Sequence, residues 1–310
     1  GMGSEMTLFE WGREIVTPVG DKLNVEYARE GTILKLIEML HSGVTYANDM
    51  FVHSNPKIMA SLGVVEGFKS VGMRGCVSFG AEDCSDGVTS NHSIKIDKIM
   101  QEHFELESRV RGENLIDFRL GIGTLLGQTD ELLEQSIGAC KKYGWKVHTH
   151  LLEAREELVN SSLRWGCRPL QHAKNIGLLD LDLTAAHMIW VNEKDISLLD
   201  NKKFSVIHNP IANMILGSGV CPVQRYRKEK INVGIGTDGA ASNDSQNLME
   251  TLKITPLLQK LHNLDPYVMS AKDALKMATI EGARSLGISE NLGSIEIGKK
   301  ADLVFFKENS

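Results

Sequence analysis

A chain of 310 residues with 42% hydrophobic content is long enough to bury a sizeable core as one large domain. Its formal charge of −6, with the signs scattered, offers no basic stripe to a phosphate backbone, so a nucleic-acid partner is not expected. No apolar stretch approaches the roughly 20 residues that a membrane helix needs, and five cysteines without CxxC spacing suit reduced thiols in a cytoplasm.

A helical opening over Met6–Ile15 is followed by apolar strand-like runs that alternate with amphipathic segments. Strands are expected at Gly43–Phe51, Arg74–Gly80, Leu115–Gly121, Lys146–Leu152, Leu183–Trp190, Phe204–His208 and Ile231–Gly236. Helices are expected at Val25–His41, Pro56–Val71, Ile94–Val110, Asp130–Tyr143, Arg155–Asn175 and Glu193–Leu199. Strand and helix in such regular succession predict an α/β fold with a parallel sheet and right-handed crossovers. Seven strands fall one short of a closed (β/α)8 barrel. At the end of the chain, Gly293–Asp302 reads as a tight turn entering a final strand, Leu303–Phe306.

One motif misleads. Gly234-x-Gly236-x-x-Gly239 fits the dinucleotide fingerprint letter for letter, but that fingerprint needs a βαβ unit with an acid ending the next strand. Here mainly helical sequence follows, and Asp238 would point a negative charge at a pyrophosphate.

The chemistry lies at strand ends. His150 and Glu153 close one run, His187 the next, and Asp238, within Gly236-Thr237-Asp238-Gly239, the last; in a barrel enzyme such positions gather at one face. Residues two apart on a strand share a side, so His148 and His150 point the same way. His150 and Asp238 offer one nitrogen and one oxygen donor to a divalent ion, zinc in preference to iron. Glu153, a little further along, reaches a water or substrate held there and suits a proton shuttle. His187 and Asp238 are placed to orient that water and to take its proton. His208, before Asn209-Pro210, is assigned to the substrate pocket, and His148 to a supporting hydrogen bond. His41, His53, His92, His103, His172 and His262 are left as surface or packing residues, and Glu102, Glu105 and Glu107 as a solvated helix face.

Taken together, these motifs resemble the amidohydrolase superfamily, in its branch of cytosine, guanine and adenosine-type deaminases and triazine chlorohydrolases. The matching segments are Glu38–Thr45 with Asp49-Met50, His148-Thr149-His150-Leu151-Leu152-Glu153, Ala185-Ala186-His187, His208-Asn209-Pro210, Gly236–Asp244 and Gly298–Leu303. The resemblance implies a TIM-type (β/α)8 barrel of the metal-dependent hydrolase kind. Residues 1–292 would form that barrel, incomplete, and 293–310 the start of a C-terminal β-sandwich strand. It implies one divalent ion on His150 and Asp238, catalysis by Glu153, His187 and Asp238, and His208 and Trp11 at the substrate. The reaction would exchange an amino group or halogen on a nitrogen heterocycle for hydroxyl.

The chain departs from the pattern in three ways. No strand ending in His-x-His precedes Met6, so two further metal ligands are not in this sequence and the ion could be absent. Most of the small β-sandwich is lacking too. Where nucleoside deaminases of the branch set an acid and a histidine, the chain has Pro18-Val19-Gly20 and Gly121-Ile122-Gly123-Thr124, which favours a free base or triazine over a ribosyl substrate. A sheet without its first strand exposes two edges, so a homo-oligomer or a covering terminal segment is expected. The alternative reading is a catalytically inactive barrel that serves as a binding or assembly partner.

Overall fold

The apolar runs assemble into two parallel sheets, of three and of six strands. The computed structural model describes residues 5–55, 57–84, 94–199 and 202–307; Pro56, His92 and the last three residues of the expected C-terminal element lie outside them. The strands are β1 (Tyr46–Asn48), β2 (Arg74–Val77), β3 (Gly80–Ala81), β4 (Ile116–Phe118), β5 (Leu120–Thr124), β6 (Val147–Leu151), β7 (Leu183–His187), β8 (Phe204–His208) and β9 (Asn232–Ile235). Pairing runs β1-β2-β4 in one ladder and β3-β5-β6-β7-β8-β9 in another, parallel throughout. Since β3 resumes the β2 run and β5 the β4 run, the nine short strands fill the seven expected positions in chain order.

Strands buried on both faces need continuous apolar runs, and β7 is the clearest, with all five residues buried. One core cluster, including Leu120, Val147, Leu183 and Val206, lies around β5 to β9. A second, including Val65, Phe68, Phe79 and Ile116, lies around β1 to β4, and Phe118 and Trp145 pack against both. Among the described residues, β1 pairs only with β2 and β9 only with β8. The two edges are nevertheless drawn together. Glu38, on the helix Val25–His41 that leads into β1, accepts from Ser245 Oγ at 2.9 Å and Gln246 N at 2.8 Å, in the loop after β9.

Several expectations are corrected. The helix expected over Arg155–Asn175 is two, Glu156–Trp165 and Pro169–Asn175, because Gly166 closes the first with a φ of 68° and Pro169 opens the second. The opening helix divides into Leu8–Trp11, a wider turn at Gly12–Val16 and Thr17–Gly20. Among the described residues Leu303–Phe306 forms no strand and pairs with none. The segment is anchored instead by Asp302, whose carboxylate lies 2.9 Å from Nε of Arg74 at the start of β2.

The expected glutamate face also proves to be divided. Glu105 and Glu107 pair on the helix surface with Arg109 and Arg111. Glu102 turns inward and is 3% exposed; it meets His53 Nε2 at 2.9 Å, Ser61 N at 3.2 Å and the Ser61 hydroxyl. His53 therefore has a buried partner and stacks on Phe79 with ring centroids 4.6 Å apart. His172 likewise stacks on Trp165 at 3.8 Å.

Candidate metal and catalytic site

The C-terminal ends of β6, β7 and β9 bring together the side chains singled out in the sequence. One donor atom each from His150, His187 and Asp238 lies within 4.8 Å of the other two, a spacing that small side-chain adjustments bring to bonds of about 2 Å around a shared ion. His187 therefore joins the possible ligands, beyond the water-orienting part expected for it. Its Nε2 stands 3.9 Å from Asp238 Oδ2 and 3.3 Å from Glu153 Oε2. The ring centroids of His150 and His187 are 5.5 Å apart.

Both imidazoles are held from behind. His150 Nδ1 lies 2.9 Å from the carbonyl oxygen of Gly123, and His187 Nδ1 lies 2.8 Å from Asn213 Oδ1. A carbonyl can only accept, so Nδ1 of His150 carries the proton and Nε2 is left to bind. His187 Nε2 is buried with no hydrogen-bond partner among the described residues. Two nitrogens and a carboxylate oxygen, with one imidazole nitrogen buried and not hydrogen-bonded, fit a divalent cation of the zinc or iron type.

Glu153 is held by its backbone rather than by its carboxylate. The buried carboxylate of Glu157 accepts from Leu152 N at 2.8 Å, Glu153 N at 2.6 Å and Ala154 N at 3.0 Å. That clamp fixes the turn beyond β6, where Leu152 has a φ of 53°. His187, Met188 and Asp238 also have positive φ, of 71°, 50° and 63°. Non-glycine residues in this region are costly, and their gathering at one end of the barrel marks a site whose geometry the surrounding structure imposes.

Burial and the nearby Asp238 carboxylate push the Glu153 carboxyl well above the usual carboxylate range, partly offset by His150 and by Ser218 Oγ at 3.5 Å. His208, at the end of β8, is fully buried with neither ring nitrogen hydrogen-bonded, and burial and His187 push it down to about 3. His148 is buried against Asn48, whose Nδ2 lies 3.0 Å from His148 Nδ1. Its ring centroid lies 5.8 Å from that of His150, on the same side of β6.

Trp11 ends the first helix, half-buried, with its indole Nε1 hidden from solvent and without a hydrogen bond. No hydrogen bond or ring contact seen among the described residues joins it to the convergent histidines. The glycine fingerprint is framework. Gly236 follows the last described strand, and a Cβ there would come within 2.6 Å of Asn209 Oδ1.

Four contributors escaped the sequence reading: the Gly123 carbonyl, Glu157, Asn213 and Ser218. Asn213 had a usable signal, because Pro210 favours the first turn of a helix and one forms at Pro210–Ile215, placing Asn213 one turn in.

Comparison with known proteins identifies the family. The sequence profile of the Amidohydrolase family matches residues 2–310. A 5'-deoxyadenosine deaminase of Methanobrevibacter smithii is 32% identical over 312 positions, covering 100% of this chain and 69% of that protein. An adenosine deaminase of Xanthomonas campestris, solved with bound zinc, matches with a TM-score of 0.85 at 29% identity, over 96% of this chain and 65% of that one. An atrazine chlorohydrolase of Arthrobacter aurescens, solved with zinc, matches with a TM-score of 0.89 over 97% of this chain and 70% of that one; at 23% identity this is a likeness of fold. No helix among the described residues is long and apolar enough to cross a membrane.

Proposed function

Because the chain belongs to the amidohydrolase family, we propose that it is a metal-dependent aminohydrolase that exchanges the exocyclic amino group of a nitrogen heterocycle for hydroxyl. The observation that carries the reading is the convergence of His150, His187 and Asp238 beside a Glu153 carboxyl raised by burial. Zinc is the preferred ion, on the mixed nitrogen and oxygen donors and on the zinc in the related structures. When bound, it supplies the acidity that turns a water into a nucleophile near neutral pH.

The protein's own residues move the protons. Asp238 accepts one from the attacking water as the carbon–oxygen bond forms. Glu153 donates one from its carboxyl to the ring nitrogen beside that carbon, and later recovers it. The proton on Asp238 passes to the exocyclic nitrogen, which leaves as ammonia as the carbon–nitrogen bond breaks. His187 would hold the ion through Nε2 together with His150 and Asp238, and His208 lines the substrate side with an imidazole that burial keeps neutral.

The substrate is taken to carry an aminopurine ring, as the names of the related deaminases suggest. The related names cover nucleosides and also the free base guanine. The two positions behind the expectation of a free base have framework work as well: a Cβ at Gly20 would meet Ser54 Oγ at 2.9 Å, and Gly123 holds His150. An inactive barrel is not favoured, since relatives aligned with the whole chain are named enzymes. The test is ammonia release from adenine, adenosine, 5'-deoxyadenosine, guanine and an aminotriazine with zinc supplied. Release from at least one purine is expected, and silence across the panel would overturn the reading.

A further inference from the structure

His150 and His187 present the same design from neighbouring strands of the site. Each ring is gripped at Nδ1 by an oxygen and leaves Nε2 facing the other donors. For His150 the oxygen is a main-chain carbonyl and permits one tautomer. For His187 it belongs to an amide side chain, so the hold on Nδ1 comes from Asn213. Asn213 is 1% exposed, and its backbone is tied on both sides: its N–H donates to Asn209 O at 3.1 Å, and its carbonyl accepts from Ser218 N at 2.9 Å. The backbone thus fixes the site from which the side chain reaches His187.

We propose that Asn213 is a positioning residue: its Oδ1 accepts the Nδ1–H of His187, keeps the proton on that nitrogen and so leaves Nε2 open to the donor set. Histidines that bind metal characteristically donate their other ring N–H to such an acceptor, and loss of the acceptor weakens metal binding. Without Asn213, a neutral His187 is free to carry its proton on Nε2, which then points N–H instead of a lone pair at the space between His150 and Asp238. The importance of the residue for catalysis rests on the metal reading above, whereas its hold on the ring does not.

The experiment is ring nitrogen-15 spectroscopy of the labelled full chain, about 2 pH units above the ordinary imidazole pKa, with His187 assigned by comparison with His187→Gln. In the wild-type chain Nδ1 of His187 should be protonated. Asn213→Leu should leave it bare, and Asn213→Asp, which keeps an acceptor, should restore the proton. Zn²⁺ added alone should bind Asn213→Leu about 10- to 100-fold more weakly than wild type, with Asn213→Asp recovering affinity. A wild-type His187 with a bare Nδ1, or the wild-type ring pattern in Asn213→Leu, would overturn the assignment. Should Asn213→Leu fail to fold, the wild-type and Asn213→Asp spectra still decide. If the proton follows Asn213 while no variant takes up Zn²⁺, the role of Asn213 is supported and the metal reading alone fails.

Discussion

Oε2 of Glu153 lies 3.3 Å from Nε2 of His187, so the side chain proposed to carry protons touches a ring that also faces the other candidate metal donors. The contact joins two adjacent strands, one ending in a clamped turn and the other in a residue of positive φ. Proton transfer and metal binding would share a wall of the site, yet they are separable by substitution.

Glu153→Gln keeps the shape of the side chain and removes its ability to give and regain a proton. Steady-state assays on the substrate found by the panel should show kcat reduced by roughly 10²- to 10⁴-fold. Zinc content should be unchanged, because Glu153 is not among the three convergent donors. Equal loss of metal and activity would mean that Glu153 is a ligand.

Glu157→Gln tests the clamp. An amide presents one accepting oxygen where the carboxylate presents two, so the Leu152, Glu153 and Ala154 N–H groups can no longer all be satisfied. If the turn relaxes by about 1 Å, kcat should fall by about 100-fold while KM moves little. Unaltered kcat in a folded variant would remove Glu157 from the account.

The buried Glu102 predicts an asymmetry along one helix. Glu102→Ala leaves His53 and Ser61 without their shared partner and should cost about 3–5 kcal/mol in chemical denaturation. Glu105→Ala, which breaks only a surface pair with Arg109, should stay within about 0.5 kcal/mol. Similar small effects at both positions would restore the picture of a solvated face.

His103 supplies a pH dependence. It is fully buried with neither ring nitrogen hydrogen-bonded, and burial pushes it down to about 3 from 6.5. Between those values the unfolded chain binds a proton that the folded chain refuses, so this residue's contribution is complete above pH 6.5 and is lost as the pH falls toward 3. Relative to wild type, His103→Leu should therefore gain about 2 kcal/mol at about pH 5 over its difference at neutral pH. The comparison is made between the two proteins because Asp49, raised by burial to about 7, acts in the opposite direction: it favours folding below 3.8 and loses that advantage as the pH climbs to about 7. Parallel stability curves for the two proteins would contradict the buried, neutral imidazole.

The seven strand positions and the residues that end them were legible because strands buried on both faces need unbroken apolar runs, and a polar residue at the end of such a run stands out. His150, His187, Asp238 and Glu153 were found that way, and the structure brings them together. Partners supplied from a distance were not legible. Glu102 reads as one of three helix-surface glutamates until His53, 49 residues away, is folded onto it. Gly123 contributes a carbonyl that has no side-chain signature. Leu303–Phe306 has strand-like composition, but a strand also needs a neighbour to pair with, and local sequence does not say whether one is there. Gly166 and Pro169 carry the signals for a break, but the amphipathic periodicity on either side reads through them as one helix.

The central claim is that His150, His187 and Asp238 share one divalent cation. Calorimetric titration of the metal-free chain with Zn²⁺, alongside His150→Ala and Asp238→Asn, tests it most directly. One Zn²⁺ should bind per wild-type chain, with a severe loss of affinity in both variants and the fold intact. Absence of uptake by the wild-type chain, or uptake that neither substitution weakens, would contradict it.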